Sequence, residues 1–550
     1  MKLYDVAVVG LGPVGQAVAL LLAERGHSVL AIEKQEKPYP LPRAVTYTPD
    51  VARLIDQLGL SDKLAEFSVA TDTYEWQTAD RQTMLRFDFS QPSGQGWPAS
   101  TMFNQPSLEN ALRERGADYD NITVRRGTEL RGLHRVAEGA NPEVDGAECI
   151  RLDVTSRTTK YRQFFARYVI GADGANSTVR QYTDSRIEDL GFFYEWLVLD
   201  LIPDGGDTFT PDNLQVCDPA RPVTTVSAGP GRRRFEFMRM PDDDLAVFNS
   251  DQAAWSMLEP WGYTPENTQL ERRALYTFQA RWVDRWRDGR LLLAGDAAHL
   301  MPPFYGQGMV SGMRDAANLA WKLDLVLRGS ADEGLLDTYS TERAEHVKHA
   351  IAMSVELGKV ICEVDPDKVA ARDAHFLAAG PNPQEALPPL PPERLGPGAT
   401  VVDTTDLPGL VSVNGQLTYR TAGETVTKLG DQLAPGATLV VVDGEKFTVD
   451  DVADALAKTT AACSWRAGEE LVIVRLEDVT AADLPISDPT TGVINALDVG
   501  GVYRDTLTAH KLSVVVIRPD FYYAAALATD TDQHLTGLLA EVANAYQLEA

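Results

Sequence analysis

The stretch Val6-Ala7-Val8-Val9-Gly10-Leu11-Gly12-Pro13-Val14-Gly15, with Ala17, Val18, Leu20, Leu21 and Leu22 behind it and Ser28-Val29-Leu30-Ala31-Ile32-Glu33 after a stop at Gly26, decides the fold class. A short β-branched run reads as a buried strand, the dense apolar positions as a helix, and the second run as a strand ending at Glu33. Together they form a βαβ unit with a tight Gly-rich first turn. The turn satisfies G-x-G-x-x-G in the required context, and Glu33 follows Gly10 at the spacing of a ribose-binding acid. Gly10 permits the turn, Gly12 lets a pyrophosphate approach the backbone, and Gly15 lets helix and strand pack closely. The helix N-terminus then stabilises phosphate charge. Glu33 would hydrogen-bond ribose hydroxyls and repel a 2′-phosphate. This motif alone leaves NAD and FAD both open.

Working outward, Tyr168-Val169-Ile170 is a second strand-like run, ending in Gly171-Ala172-Asp173-Gly174. Arg290-Leu291-Leu292-Leu293-Ala294 is a third, ending in Gly295-Asp296, with a helical pattern from Gly308 to Leu327 beyond it. Between them, Glu195-Trp196-Leu197-Val198-Leu199 and Arg234-Phe235-Glu236-Phe237 predict a separate antiparallel sheet layer. Residues 335–364 are helical in pattern, and Gly380-Pro381-Asn382-Pro383 through Leu387-Pro388-Pro389-Leu390-Pro391-Pro392 form a Pro-rich connector. Past a boundary near 395, the strand-like runs Leu439–Val442, Leu471–Val474 and Leu512–Ile517 alternate with helical ones, as in a small α/β domain.

The chain has 550 residues, and at ~150 per domain it holds three to four units. Its 44% hydrophobic and 24% charged content excludes collagen-like, disordered and coiled-coil classes. Fifty-one Lys and Arg against 79 Asp and Glu leave a net charge of −28, which disfavours nucleic acid or an anionic membrane as partner. Cys149, Cys217, Cys362 and Cys463 form no C-x-x-C, so neither a disulfide framework nor a cysteine zinc site is expected. The N-terminal apolar run is too short for a signal, and no apolar run reaches ~18 residues, so a cytoplasmic location is expected.

The third run continues as Gly295-Asp296-Ala297-Ala298-His299-Leu300-Met301-Pro302-Pro303-Phe304-Tyr305-Gly306-Gln307-Gly308-Met309. A carboxylate at a strand end holds a polyol such as a ribityl chain. Glycines at 306 and 308 let backbone N–H groups approach a ring carbonyl at a helix N-terminus, whose dipole stabilises negative charge. With these motifs the chain resembles the flavoprotein aromatic hydroxylases, single-component FAD monooxygenases. Their two flavin motifs are matched by Gly10 to Gly15 and by Gly295-Asp296, and their D-G motif by Asp173-Gly174-Ala175-Asn176-Ser177-Thr178-Val179-Arg180. Cys217-Asp218-Pro219-Ala220-Arg221-Pro222, Arg232-Arg233-Arg234-Phe235-Glu236-Phe237-Met238 and Gly312-Met313-Arg314-Asp315-Ala316-Ala317-Asn318-Leu319-Ala320-Trp321-Lys322-Leu323 look like the branch of 3-(3-hydroxyphenyl)propionate hydroxylase, phenol hydroxylase and polyketide hydroxylases.

The resemblance implies an α/β architecture: a Rossmann-like, glutathione-reductase-type FAD domain from residues 1–75, 100–186 and 280–350, and an antiparallel-sheet substrate domain from 76–99 and 187–279. A connector over 351–395 and a thioredoxin-like domain over 396–550 without a redox C-x-x-C complete it. The last domain is expected to serve packing or a homodimer. By carry-over, FAD is contacted by Gly10, Gly12, Pro13, Val14, Gly15, Glu33, Arg43, Gln105, Arg113, Asp173, Gly295, Asp296, Pro303, Gly306, Gly308, Met309 and Val310. Many relatives have Asn at position 310, and Val310 removes that side-chain hydrogen bond near the flavin pyrimidine. Arg113 is read as reaching a phosphate or as a surface ion pair.

The implied chemistry is reduction of FAD by NAD(P)H, reaction with O₂ to a C4a-hydroperoxide, and transfer of OH to an electron-rich phenolic or polycyclic ring. No protein nucleophile, metal or other catalytic residue is expected, and Glu345-His346 with His349 reads as an exposed helix face. Pocket candidates are Phe192, Phe193, Tyr194, Trp196, Gln215, Phe237, Met238, Pro302 and Phe304. Arg239 is either a site for a substrate carboxylate or a solvated strand-end charge. Some relatives carry a phenol-ionising tyrosine at the Phe192 position, so this chain would need substrate activation or another base. An epoxidase, a Baeyer–Villiger-type oxygenase, a halogenase and a non-catalytic dinucleotide-fold carrier are the alternatives. The W-x-W-x-I-P stretch of halogenases is absent.

Overall fold

The computed structural model describes residues 2–139, 146–157, 161–387, 393–401, 405–531 and 533–549. The first strand, Leu3–Val9, lies between Val29–Glu33 and Arg162–Gly171, parallel to both, with Val8 opposite Ala31 and Ile170. Leu291–Leu293 extends the sheet on one side and Ile122–Arg126 on the other, again in parallel. Strands covered on both faces must be apolar throughout, and Val6, Ala7, Val8, Val169, Ile170, Leu292 and Leu293 are accordingly fully buried. Helices Pro13–Glu24 and Gly308–Leu327 pack against each other beside this sheet and share its core. The long antiparallel strands Thr128–Val136 and Cys149–Ser156 hang from the edge of Arg162–Gly171.

A second sheet runs His299–Leu300, Thr268–Val283, Ile187–Pro203, Arg233–Met238, Val223–Ser227, Asn213–Val216, Thr73–Gln77, Thr83–Asp88. All pairings are antiparallel except that of Asn213–Val216 with Thr73–Gln77. Side chains alternate between faces with period two. Leu197, Leu199, Val223, Leu214, Phe235 and Phe237 form one face, buried under Phe248, Ala254 and Leu258. The opposite face presents Tyr74, Trp76, Asn213, Gln215, Thr224, Val226, Arg234 and Glu236 to the first sheet. The expectation that Phe237 faces a substrate pocket is therefore corrected: it sits in the remote core.

Helices Asp337–Ile361 and Pro366–Ala379 follow the second flavin motif. The proline run at 388–392 lies outside the described residues. The C-terminal sheet orders Thr425–Leu429, Gln416–Arg420, Val493–Val499, Leu471–Leu476, Thr438–Asp443, Leu512–Ile517 and Tyr523–Ala528, with its three central strands parallel. It docks through buried charge. Glu342 accepts hydrogen bonds from Asn318 (2.8 Å), Lys322 (2.7 Å), the Ala399 N–H (2.5 Å) and both terminal nitrogens of Arg518 (2.8 and 2.9 Å). Arg518 also pairs with Asp520 at 2.6 Å, and Arg53 with Asp431 at 2.6 Å. Arg518 and Lys322 hold Glu342 well below the ordinary carboxyl range despite complete burial.

Candidate active site

Between the two larger sheets lies a cavity of about 620 Å³. One wall is built by the glycine loops. Gly10, at φ +97°, abuts Ala172, and a Cβ on Gly15 would run into the Gly10 carbonyl oxygen, so both glycines serve packing. Gly12 and Gly308 line the cavity, and a Cβ on either would meet nothing within 4 Å. Their backbones are open to a ligand. Glu33 ends its strand beside the loop, with Oε2 accepting from the Leu11 N–H at 2.9 Å.

The other motif supplies a carboxylate. Asp296 lines the cavity and stands open to it, and among the described residues its oxygens have no hydrogen-bond partner. The surrounding protein raises its carboxyl pKa, against the lowering influence of His299 and Arg43. A carboxylate free of protein partners at a strand end offers acceptor oxygens to the hydroxyls of a ribityl chain. Arg43 is exposed at the rim, its guanidinium stacked on Tyr39 at 5.0 Å, with no ion pair among the described residues. Open glycine backbone at two helix N-termini, a cavity-facing carboxylate without protein hydrogen bonds and a free cation fit FAD.

The structure gives several of the expected contact residues partners within the protein. Gln105 lines the cavity, but its Oε1 accepts from the N–H groups of Arg43 (3.1 Å) and Ala44 (2.7 Å), and its Nε2 donates to Glu109. It therefore shapes the Arg43 turn. Asp173 is spent on Ser177 Oγ (2.5 Å) and the Thr178 N–H (2.6 Å), while its neighbour Gly174 reaches the cavity. Arg113 lies outside the lining, half-exposed beside Glu114. Val310 is fully buried in the core, since only the first residues of its helix, Gly308 and Met309, face the cavity. An Asn there would point away from the cleft.

The substrate half of the cavity also departs from expectation. Of the expected pocket residues, Gln215 and Phe304 line it. Phe192, Tyr194, Trp196 and Met238 stand behind Phe304 and do not reach the lining, with Trp196 at 5.6 Å and Phe192 at 6.2 Å from that ring. Phe193 is exposed. Pro302 is buried and accepts from Ser354 through its carbonyl, and Arg239 is paired with Glu195 at 2.6 Å. The apolar wall is instead Tyr74, Trp76, Phe87, Phe89, Met301, Leu357 and Leu387. Most of it comes from the early segment 73–89, where Tyr74 and Trp76 at alternate positions were the available signal.

His346 is likewise not on an exposed face: it is 1% exposed, against Arg343 (2.5 Å) and Glu393 (3.2 Å). Glu393 also pairs with Arg314 at 3.0 Å and takes the Tyr305 hydroxyl, so the connector touches the flavin loop from behind. Among the described residues no cluster suits a metal ion, and no helix is long and apolar enough to cross a membrane.

A βαβ glycine loop and a strand–loop–helix flavin motif, facing a mostly antiparallel sheet across an aromatic cavity, define an FAD-dependent aromatic hydroxylase. Residues 3–354 match the family model described as an FAD binding domain, and residues 416–542 that of an HcaD C-terminal domain. The chain belongs to this FAD-binding family, and it is an NAD(P)H-dependent flavoprotein monooxygenase acting on an aromatic substrate. It is 35% identical, over 98% of its length and 95% of the relative's, to a protein of Rhodococcus jostii strain RHA1 named "Probable NADH-specific resorcinol 4-hydroxylase". It is 30% identical, over 96% and 92%, to the 3-(3-hydroxy-phenyl)propionate/3-hydroxycinnamic acid hydroxylase of Escherichia coli O157:H7. The flavin-dependent monooxygenase PieE shares the fold at TM-score 0.77 and 19% identity, over 99% of both chains.

Proposed function

We propose that the chain hydroxylates a small uncharged phenol or benzenediol, with NADH as reductant and O₂ as oxidant. The observation that carries this reading is the absence, among the described residues, of an unpaired cation on the substrate floor. Arg234, the one guanidinium there, is spent on Asp200 (2.7 and 3.1 Å) and on the carbonyls of Pro42 and Arg43. A substrate carboxylate seated on this floor, away from Arg43 at the rim, would lie without a counter-charge, at a cost of several kcal/mol. The name of the 35% identical relative supports both the benzenediol and the NADH.

FAD, when bound, supplies the redox chemistry, taking hydride from the reductant and delivering one oxygen atom of O₂ to the ring. The chain binds and orients. Gly12 and Gly308 with their helix N-termini, Arg43 and Asp296 would hold the cofactor, with Glu33 beside the first loop, while Trp76, Phe87 and Phe304 would keep the ring dry. The test is NADH oxidation by the yellow holoenzyme with resorcinol, phenol and 3-(3-hydroxyphenyl)propionate, with products identified by mass. Hydroxylation of the uncharged phenols at a kcat/KM at least tenfold above that of the acid is expected. Preference for the acid overturns the reading.

A further inference from the structure

We infer that the Glu236 carboxylate is the base that takes the hydroxyl proton of the phenolic substrate. Glu236 sits on Arg233–Met238 in register with Thr224 and Val198, on the cavity-facing side of the sheet. Its side chain is 10% exposed, and among the described residues it makes no hydrogen bond. Its nearest cation, Arg234 Nη1 at 3.7 Å, is already committed to the Arg43 carbonyl.

The other polar groups of the floor are occupied. Gln215 Nε2 donates to the carbonyls of Val216 and Val223, and its Oε1 accepts from Thr224 at 2.5 Å. Asn213 Nδ2 faces Thr71 and the Thr73 carbonyl at 3.3 Å, and its Oδ1 accepts from the Ser227 N–H. Tyr74 lines the same floor, but burial pushes its hydroxyl up, so it donates and does not act as a base. An acceptor-only group remains, aimed into an aromatic-walled space. Its surroundings suit a base. Burial raises the Glu236 carboxyl, Arg234 lowers it, Asp200 raises it and Arg272 lowers it, and the net direction is upward, which makes its carboxylate a stronger base.

The proton balance is simple. The substrate O–H breaks, the proton passes to Glu236, and the electron pair stays on the phenolic oxygen, enriching the ring carbon that takes up a hydroxyl group as the O–O bond of O₂, reduced at the expense of NADH, breaks and the second oxygen leaves as water. As the ring regains aromaticity, the hydrogen on that carbon leaves as a proton to solvent. Glu236 then returns its proton to the phenolic oxygen and is again a carboxylate.

This assignment rests on the substrate being a phenol but not on its lacking a carboxylate. Wild type, Glu236→Gln and Glu236→Asp holoenzymes are compared by single-turnover hydroxylation across pH, with flavin content and melting temperature as controls. Glu236→Gln is expected to hydroxylate an ordinary phenol roughly a hundredfold more slowly, to lose the acid limb of the wild-type profile, and to approach wild type on a phenol already ionised at the assay pH. Glu236→Asp recovers part of the rate. An equal loss on ionised and un-ionised phenols, or a wild-type rate that stays level from neutrality down through the ordinary carboxyl range, overturns the assignment. Should the substrate panel favour an aryl acid, the same comparison is read on that acid's phenol, so the two proposals fail separately.

Discussion

Replacing Gly12 with alanine separates cofactor binding from folding. Gly12 has φ −73° and ψ −173°, which any residue adopts, and an added Cβ meets no protein atom within 4 Å. Alanine is a poorer N-cap than glycine by roughly 0.5–1 kcal/mol, while the stiffer unfolded chain offsets about 0.4–1 kcal/mol. The apoprotein should therefore melt within a degree or two of wild type. The methyl group instead occupies the approach to the loop. Pushing the diphosphate back costs one or two charge-assisted hydrogen bonds of about 1.5 kcal/mol each, so FAD affinity should drop by roughly ten- to a hundredfold. In Gly15→Ala the new Cβ collides with the Gly10 carbonyl oxygen, a backbone atom that cannot swing aside. There the apoprotein itself is destabilised by about 1–3 kcal/mol or more. Flavin-fluorescence quenching on titrating each apoprotein with FAD gives affinity, and circular-dichroism melting gives stability. Wild-type affinity in Gly12→Ala, or a melting loss as large as that of Gly15→Ala, would refute the reasoning.

Phe237→Ala should cost about 3–5 kcal/mol in denaturant unfolding, as for a buried phenylalanine, yet leave the relative kcat/KM among phenols unchanged, because Phe237 packs under Phe235 away from the cavity. A shift in substrate preference would place it on the wrong face. His346 is held down to about 4, by burial first and then by Arg343. The unfolded chain takes up its proton near 6.5 and the folded one only near 4, so stability is full above pH 6.5 and declines as pH falls between those values. Melting temperature should drop across pH 6.5–5, above the titration of ordinary carboxyls; a flat profile there contradicts the assignment.

The nucleotide half of the site was legible because its signals are local. Gly10 to Glu33 and Gly295 to Leu327 carry their turns, strands and helices in continuous sequence, and backbone geometry fixes what each glycine does. The substrate half depends on register. Alternation in Arg233–Met238 shows two faces but not which one meets the cavity, and that choice is made by Ile187–Pro203 and Val223–Ser227, which pair Phe237 with Leu197 and Val223. Tyr74, Trp76 and Phe87 arrive through a parallel pairing with Asn213–Val216, more than a hundred residues away, which no local pattern reports. Val310 turns inward by helical phase alone. His346 sits on a helix that reads as polar, and it is buried by Glu393 and Tyr522, supplied from distant parts of the chain.

The Glu342 hub also imposes an order on synthesis. Glu342 and Lys322 leave the ribosome early, but Arg518, which completes their pairing, follows Glu342 by 176 residues. At ~5–20 residues per second this interval lasts roughly 10–35 s. Throughout it, the Glu342–Lys322 pair of the nascent nucleotide-binding unit lacks the two guanidinium hydrogen bonds that Arg518 supplies to Glu342. The buried cluster is thus shared between segments far apart in the chain, and Glu342 gains its last two hydrogen bonds only when Arg518 has been made.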